Sequence, residues 1–312
     1  MISRSAALLR DTIHDQLVLA HNLHKRRAIS PHSADTLIGM TVAYLDHAAT
    51  TEPGRRYKRS LLEALDLRPG LTVLDVGCGP GTDLPGMVAA VTHPPSRSGR
   101  ASGPEALCSE HIYASPLSVG RVIGVDRDPG MADEARRRCP SSVEILVGDA
   151  HELPLDDASV DRARVDRVLQ HLADPERALA ELHRVVRPGG TVVLADPDWD
   201  TLAIADPDTA TSRAYTRYVT GHVVRNATIG RELARLLHAA GFAVVEVVAE
   251  SILFTDYAEA EAILRMPDVA RRGWESGALD PHASRAWLSR LAAGPFVGGF
   301  TFYTVKAHRP AP

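Results

Sequence analysis

The stretch VLDVGCGPGTD, from Val73 to Asp83, reads as a short strand running into a glycine-rich turn. Its glycines, Gly77, Gly79 and Gly81, stand at alternate positions. Such a turn lets the backbone come close to a ligand and lets the following helix present its N-terminal N–H groups. That helix follows at once, with Leu84, Met87, Val88 and Val91 recurring on one face. The spacing is G-x-G-x-G, with Thr82 where a dinucleotide fingerprint places its third glycine, so a nicotinamide dinucleotide fits less well. Asp75, two residues before the first glycine, is a carboxylate suited to a cationic group such as an ammonium.

Outward from this unit, aliphatic runs alternate with helical stretches. Leu71–Gly77, Arg121–Asp126, Val143–Val147, Asp161–Val165 and Thr191–Ala195 read as strands, with a long candidate at Ala243–Phe254 and a terminal one at Phe300–His308. That rhythm is the mark of βαβ units and a parallel sheet. Asp128-Pro129 and Asp174-Pro175 each supply an N-cap and a first-turn proline. The helix after Asp174 carries a stripe of Leu179, Leu182, Val185 and Val186, and Pro188-Gly189-Gly190 stops it. Upstream, Leu8, Leu9, Ile13 and Leu17, then Leu61, Leu62 and Leu65, form helical patterns that Arg68-Pro69-Gly70 ends. The Pro-, Ser- and Gly-rich stretch over 92–120 is far longer than the few residues that usually join such elements, and reads as a flexible insertion.

Composition sets the outer limits. The 312 residues are 45% hydrophobic but only 5% aromatic, which suits a core of Val, Leu, Ile and Ala on a parallel sheet. A net charge of -4 provides no basic footprint for nucleic acid. Cys78, Cys108 and Cys139 have no metal-ligand spacing, and no His/Asp/Glu cluster does either, so no metal is expected. The N-terminus lacks the apolar region of a secretory signal, and no run approaches a membrane span of about 18 residues. A cytoplasmic protein without a membrane or nucleic-acid partner is the expectation, and a homodimer is allowed.

Three segments taken together, Val73–Asp83, VIGVDRDPGM (Val122–Met131) and VGDAHELPL (Val147–Leu155), resemble the successive motifs of class I S-adenosylmethionine (SAM)-dependent methyltransferases. The resemblance covers roughly residues 57 to 200. It implies an α/β fold with a doubly wound, seven-stranded, mostly parallel sheet of the Rossmann-like type. The chain then divides into an N-terminal helical lid (1–65) and a SAM-binding domain (66–312), with the insertion at 92–120 and substrate-cap helices at about 200–240 and 259–291.

The resemblance also implies site residues. Gly77, Gly79 and Gly81 form the cofactor turn, with Asp75 before it. Asp126 would accept both ribose hydroxyls, and Asp149 with Ala150 would meet the adenine. Arg127 and Met131 would flank the ribose and the adenine face. In the ubiquinone/menaquinone-biosynthesis methyltransferases an aromatic-Lys-Arg run lies where Tyr57-Lys58-Arg59 stands, which places Lys58 at the methionine carboxylate and Asp166 at a cofactor contact. Those relatives carry Arg-Asn where this chain has Gln170-His171, a departure that puts quinone-ring C-methylation in doubt, and the expected acceptor is a secondary-metabolite or quinone-like small molecule.

Methyl transfer from SAM, which leaves S-adenosylhomocysteine (SAH), depends mainly on in-line alignment, and a base matters only when the acceptor must lose a proton. His171, beyond the fourth strand at the carboxyl end of the sheet, is the candidate base or orienting group. Gln170, Asp198 and Trp199 are candidates to line the pocket of a small-molecule acceptor with an O, N or C nucleophile, and Asp196 is placed with them. A nicotinamide oxidoreductase, or a SAM-fold protein that binds the cofactor without methyl transfer, are the alternatives.

Overall fold

The order of the strands follows from where the buried aliphatic runs lie in the chain. The computed structural model describes residues 52–92 and 120–312, with Val42, Leu45, Asp46 and Thr50 as isolated positions ahead of them. The helical pattern around Leu8 to Leu17 and nearly all of the expected insertion lie outside the described residues. Seven strands, β1 (Thr72–Val76), β2 (Arg121–Asp126), β3 (Val143–Val147), β4 (Val160–Asp166), β5 (Val186–Ile204), β6 (Ala243–Phe254) and β7 (Gly298–His308), form one sheet in the order β3-β2-β1-β4-β5-β7-β6. Strands β1 to β5 are parallel and β7 runs antiparallel to both its neighbours. The chain winds outward from β1 to β3 and then returns to β4 on the other side of β1. That reversal opens a crevice at the carboxyl ends of β1 and β4, where ligands bind in sheets of this kind.

All five residues of β1 are buried, as a central strand covered on both faces requires. Its side chains alternate between two cores. On one face Val73 and Val122 meet Leu61 of α1 (Glu52–Ala64), Leu84 and Met87 of α2 (Leu84–Thr92), and Ala132 and Ala135 of α3 (Pro129–Arg138). On the other face Leu74, Ile123 and Val165 meet Leu179 and Leu182 of α4 (Pro175–Val185), and Leu233 and Leu237 of the helix Ile229–Ala239. Each fully buried Leu or Val side chain contributes about 1.5–3 kcal/mol relative to exposure. The two expected caps form: Asp128 accepts from the Gly130 and Met131 N–H groups, and Asp174 from that of Arg177.

The expected cap segments are helical. The first holds α5 (Thr209–Tyr218). The helix α6 (Ile229–Ala239), expected in the same cap, is instead a helix of the sheet's own layer, since its Leu233 and Leu237 pack against Leu74 and Val165. The second cap segment, between β6 and β7, holds α7 (Tyr257–Leu264), α8 (Met266–Glu275) and α9 (Pro281–Ala293). Trp287 of α9 is fully buried, stacks 5.0 Å from the Tyr215 ring and donates to Ser212 Oγ at 3.0 Å, which joins the second cap segment to the first.

The fifth strand is the main departure from the sequence expectation. Instead of Thr191–Ala195 it spans Val186–Ile204, because β7 pairs with it past the end of β4, through Asp196↔Tyr303, Pro197↔Phe302 and Asp198↔Thr301. Pro197 is tolerated there because β4 has ended at Asp166 and β5 is flanked by a ladder partner on one side only. The ADPDWD segment is therefore strand and not a pocket-lining loop.

Candidate cofactor and acceptor site

The glycine turn adopts a backbone that side chains resist. Gly77, Gly79 and Gly81 have φ values of 71°, 54° and 77°. A Cβ on Gly77 would sit 2.4 Å from a Val168 methyl, and one on Gly81 would sit 2.7 Å from the Cys139 sulfur. The N–H groups of Gly77 and Cys78 both donate to the Val125 carbonyl, which locks the turn to the end of β2. The next residue on that strand, Asp126, completes the lock. Its Oδ2 accepts from the Gly79 N–H at 2.8 Å and its Oδ1 from the Asp128 N–H at 2.9 Å. Burial raises its carboxyl above the usual range against these two bonds. A carboxylate has about four acceptor sites, so each oxygen keeps capacity for a further donor. Arg127 is exposed beside it, and Met131 is buried in the first turn of α3.

Asp149 stands beyond β3. Its Oδ1 accepts from the His151 N–H at 2.9 Å and lies 2.6 Å from the ring Nδ1. On the far side of that ring, Nε2 accepts from the Asp174 N–H at 3.3 Å, so Nδ1 carries the proton and the imidazole braces Asp149 against the start of α4. Burial pushes the Asp149 carboxyl up, and the bonds from His151 outweigh it and hold it low. A crevice of about 370 Å³ opens here, lined by Asp149, His151, Glu152, Ala173, Asp174 and Arg177. Ala150 borders a small apolar void with Val76 and Leu169.

Between β1 and β4 lies a charged network that no sequence motif announced. Arg164, 3% exposed, is the register partner of Asp75. Its guanidinium donates to Asp75 at 3.2 Å, to Asp83 at 2.7 Å and to Asp166 at 2.5 Å. Lys58 Nζ donates to the other side of the cluster, at Asp83 Oδ2, over 2.5 Å. The Tyr57 hydroxyl reaches Asp166 Oδ2 at 3.5 Å, and Arg167 Nε lies 3.5 Å from Asp166 Oδ1. Two expectations are corrected here. Lys58 is held by Asp83 inside this network and does not stand free for a methionine carboxylate. Asp75 is buried against Arg164 between the strands, so it meets no ligand ammonium directly.

Opposed forces set these carboxyls apart. Burial raises Asp75 to about 7 even with Arg164 beside it. For Asp83 burial also pushes upward, but Arg164 and Lys58 outweigh it and hold the carboxyl at about 2. A carboxyl raised by folding favours the folded state while protonated, so the Asp75 contribution is lost as pH climbs from about 4 to about 7. Asp83, lowered by folding, stabilises above about 4 and loses that contribution as pH falls toward 2. Asp75→Asn, which mimics the protonated acid, is therefore expected to gain stability relative to the parent between pH 5 and pH 8, measured as the difference in thermal midpoints. An unchanged difference across that range would show that Asp75 does not titrate there.

On the acceptor side, Gln170 and His171 form a short 3₁₀ turn, Leu169–His171, after β4. Asp196 sits beneath it, fully buried, and its Oδ2 accepts from the Leu169 N–H at 3.1 Å. Burial pushes its carboxyl well above the usual range, with the nearby Asp166 charge adding to the effect. Gln170 is buried and its Oε1 accepts from the Trp199 indole N–H at 2.8 Å. Trp199 also lies 4.7 Å from the Phe300 ring. His171 is exposed, and the neighbouring protein, then the charges of Arg167 and Arg127, lower its imidazole to about 4. Asp198 is a third correction. It has no exposed surface, and Arg231 of α6 bonds both its oxygens, one of them at 2.8 Å, so it anchors α6 to β5 and does not face a pocket.

Arg164, Arg167 and Tyr57 are the residues that sequence reasoning missed. Arg164 had a visible signal, since an arginine in a strand expected inside the sheet needs carboxylates around it. Arg167 had none: it follows β4 with φ 57°, a left-handed conformation few arginines adopt, and its guanidinium lies 5.9 Å above the Tyr57 ring. Tyr57, packed 4.9 Å from Phe302, had entered only as the aromatic of the Tyr57-Lys58-Arg59 run.

Comparison with known proteins agrees with this geometry. Residues 105–194 match the family model described as a methyltransferase domain. An uncharacterized 37.1 kDa protein in transposon TN4556 of Streptomyces fradiae is 45% identical over 292 residues, which is 93% of this chain and 77% of that one. Demethylmenaquinone methyltransferase of Paenarthrobacter aurescens is 30% identical over 142 residues, 46% of this chain and 45% of that one. The YcgJ protein of Bacillus subtilis shares the fold, with a TM-score of 0.56 at 16% identity over 83% of this chain and all of that one. A strand order that winds out from β1 and returns at β4, a glycine turn locked to Asp126, and these relatives lead to one assignment: the chain belongs to the class I SAM-dependent methyltransferase family.

Proposed function

We propose that the chain binds SAM at the carboxyl ends of β1 to β4 and directs its methyl group to a small, flat acceptor. One observation carries the reading. At the carboxyl ends of the neighbouring strands β1, β2 and β3 stand, in that order, a glycine turn in which Gly77 and Gly81 have no room for a Cβ, Asp126 bonded to that turn, and Asp149 at the mouth of a crevice. The site fits the cofactor in another respect, because Asp166 Oδ1 is buried and accepts no hydrogen bond, with Arg167 Nε no nearer than 3.5 Å, so it keeps acceptor capacity. Asp126 would take the ribose hydroxyls and Asp149 the adenine amine. When bound, SAM supplies an electrophilic methyl, so the work left to the protein is alignment and exclusion of water.

The acceptor reading rests on two ring pairs. Tyr57 of α1 packs on Phe302 of β7, and Trp199 of β5 packs on Phe300 of β7, with Gln170 fixing the indole edge. Flat apolar molecules pack well against such rings. An imidazole lowered to about 4 is neutral at pH 7 and weakly basic, so His171 serves to orient the acceptor by a hydrogen bond more than to carry away its proton.

The test is incubation with labelled SAM and a panel of phenols, amines and enolizable carbons, read as a mass gain of one methylene. With the acceptor so found, His171→Ala is expected to raise its KM about tenfold and to change kcat less than about threefold. A large fall in kcat with KM unchanged would instead make His171 the base. SAM binding without mass gain in any acceptor would favour a protein that holds the cofactor for another purpose.

A further inference from the structure

The network around Arg164 holds more charge than packing needs. Three carboxylates, Asp75, Asp83 and Asp166, face three cations, Arg164, Lys58 and Arg167. The count balances only when all three acids are ionised. Asp83 and Asp166 each touch two cations, whereas Asp75 touches Arg164 alone, at 3.2 Å and 3.4 Å, and lies deepest between the strands. The other groups near Asp75 are the thiols of Cys78, after β1, and Cys139, after α3, and burial pushes both upward so that they stay neutral. Tyr57, raised by burial, is neutral as well. Asp75 is thus the one member whose charge decides whether the network is neutral or positive.

That network lies at the carboxyl ends of β1 and β4, where the methyl donor is proposed to bind. SAM carries a sulfonium that SAH lacks, so the two ligands differ by one positive charge and share every other titrating group. A site with a net positive charge nearby discriminates against SAM, and a neutral one does not.

We propose that Asp75 sets the preference of this site for the methyl donor over its demethylated product, acting through Arg164 on the carboxylates of Asp83 and Asp166. Asp75 touches no ligand in this account and is a positioning residue. The inference rests on the SAM-binding reading above. A purely structural Asp75 would alter thermal stability and both affinities together, leaving their ratio alone. The ratio is the discriminating quantity. Burial holds Asp75 near 7, which places its change of charge within the range where binding is readily measured.

The experiment is calorimetric titration of the full chain with SAM and with SAH, from pH 6 to pH 8. In the parent protein, affinity for SAM relative to SAH is expected to rise roughly tenfold over that range. Asp75→Asn, close in shape and neutral, is expected to hold the pH 6 ratio throughout. A ratio in Asp75→Asn equal to the parent's at pH 8 overturns the proposal. So does a flat ratio in the parent, which needs no variant to fold. Absence of binding by either ligand would instead overturn the SAM reading itself, so the two failures are told apart.

Discussion

Asp126→Ala is expected to weaken SAM binding by about 100-fold. The carboxylate would give up two charge-assisted hydrogen bonds to the ribose, each contributing about 1.5–3 kcal/mol, partly offset by water that enters in its place. The same substitution unties the turn, because Asp126 is the acceptor for both the Gly79 and Asp128 N–H groups. A fall in stability of about 1–3 kcal/mol accompanies the loss. Asp126→Asn keeps one carbonyl oxygen and should lose closer to tenfold in affinity. Calorimetry on both variants, with melting curves alongside, separates the ligand's share from the turn's. Binding within threefold of the parent in Asp126→Ala would remove Asp126 from the site.

Arg164→Met is expected to cost about 3–5 kcal/mol, the range for removing one partner of a buried ion pair and leaving the others uncompensated. For a chain of this size that is a fall of about 10 °C in the thermal midpoint. Methionine fills much of the volume, so the loss is electrostatic and carries a pH signature. Without Arg164, Asp75 and Asp83 are pushed toward protonation, so the variant should lose further stability as pH rises from about 4 to 8. A deficit that stays constant over that range would mean packing alone had been lost. Lys58 limits the damage at Asp83, since it bonds that carboxylate independently.

The parts of the fold that were legible in the sequence are those set by local chemistry. The β2, β3 and β6 spans agree with the aliphatic runs to the residue, and the caps at Asp128 and Asp174 form as their Asp-Pro pairs imply. The glycine turn was legible because its constraint is backbone geometry. What the sequence hid is long-range. The length of β5 depends on β7, about 100 residues later, and Asp198 is claimed by Arg231, 33 residues away. Lys58 matched a family position but meets Asp83, and Asp75 matched a motif but meets Arg164. In each case the residue type was read correctly, and its partner was set by which strands and helices the sheet brings together.

The proposed donor end is framed by the glycine turn, Asp126 and Asp149, while the proposed acceptor end rests on two ring pairs and His171. The most direct measurement of the central claim is one titration of the unmodified chain with SAM, SAH and NAD under the same conditions. One site per chain for SAM and SAH, with no heat from NAD, is the expected result. Binding of NAD without binding of SAM would contradict the account.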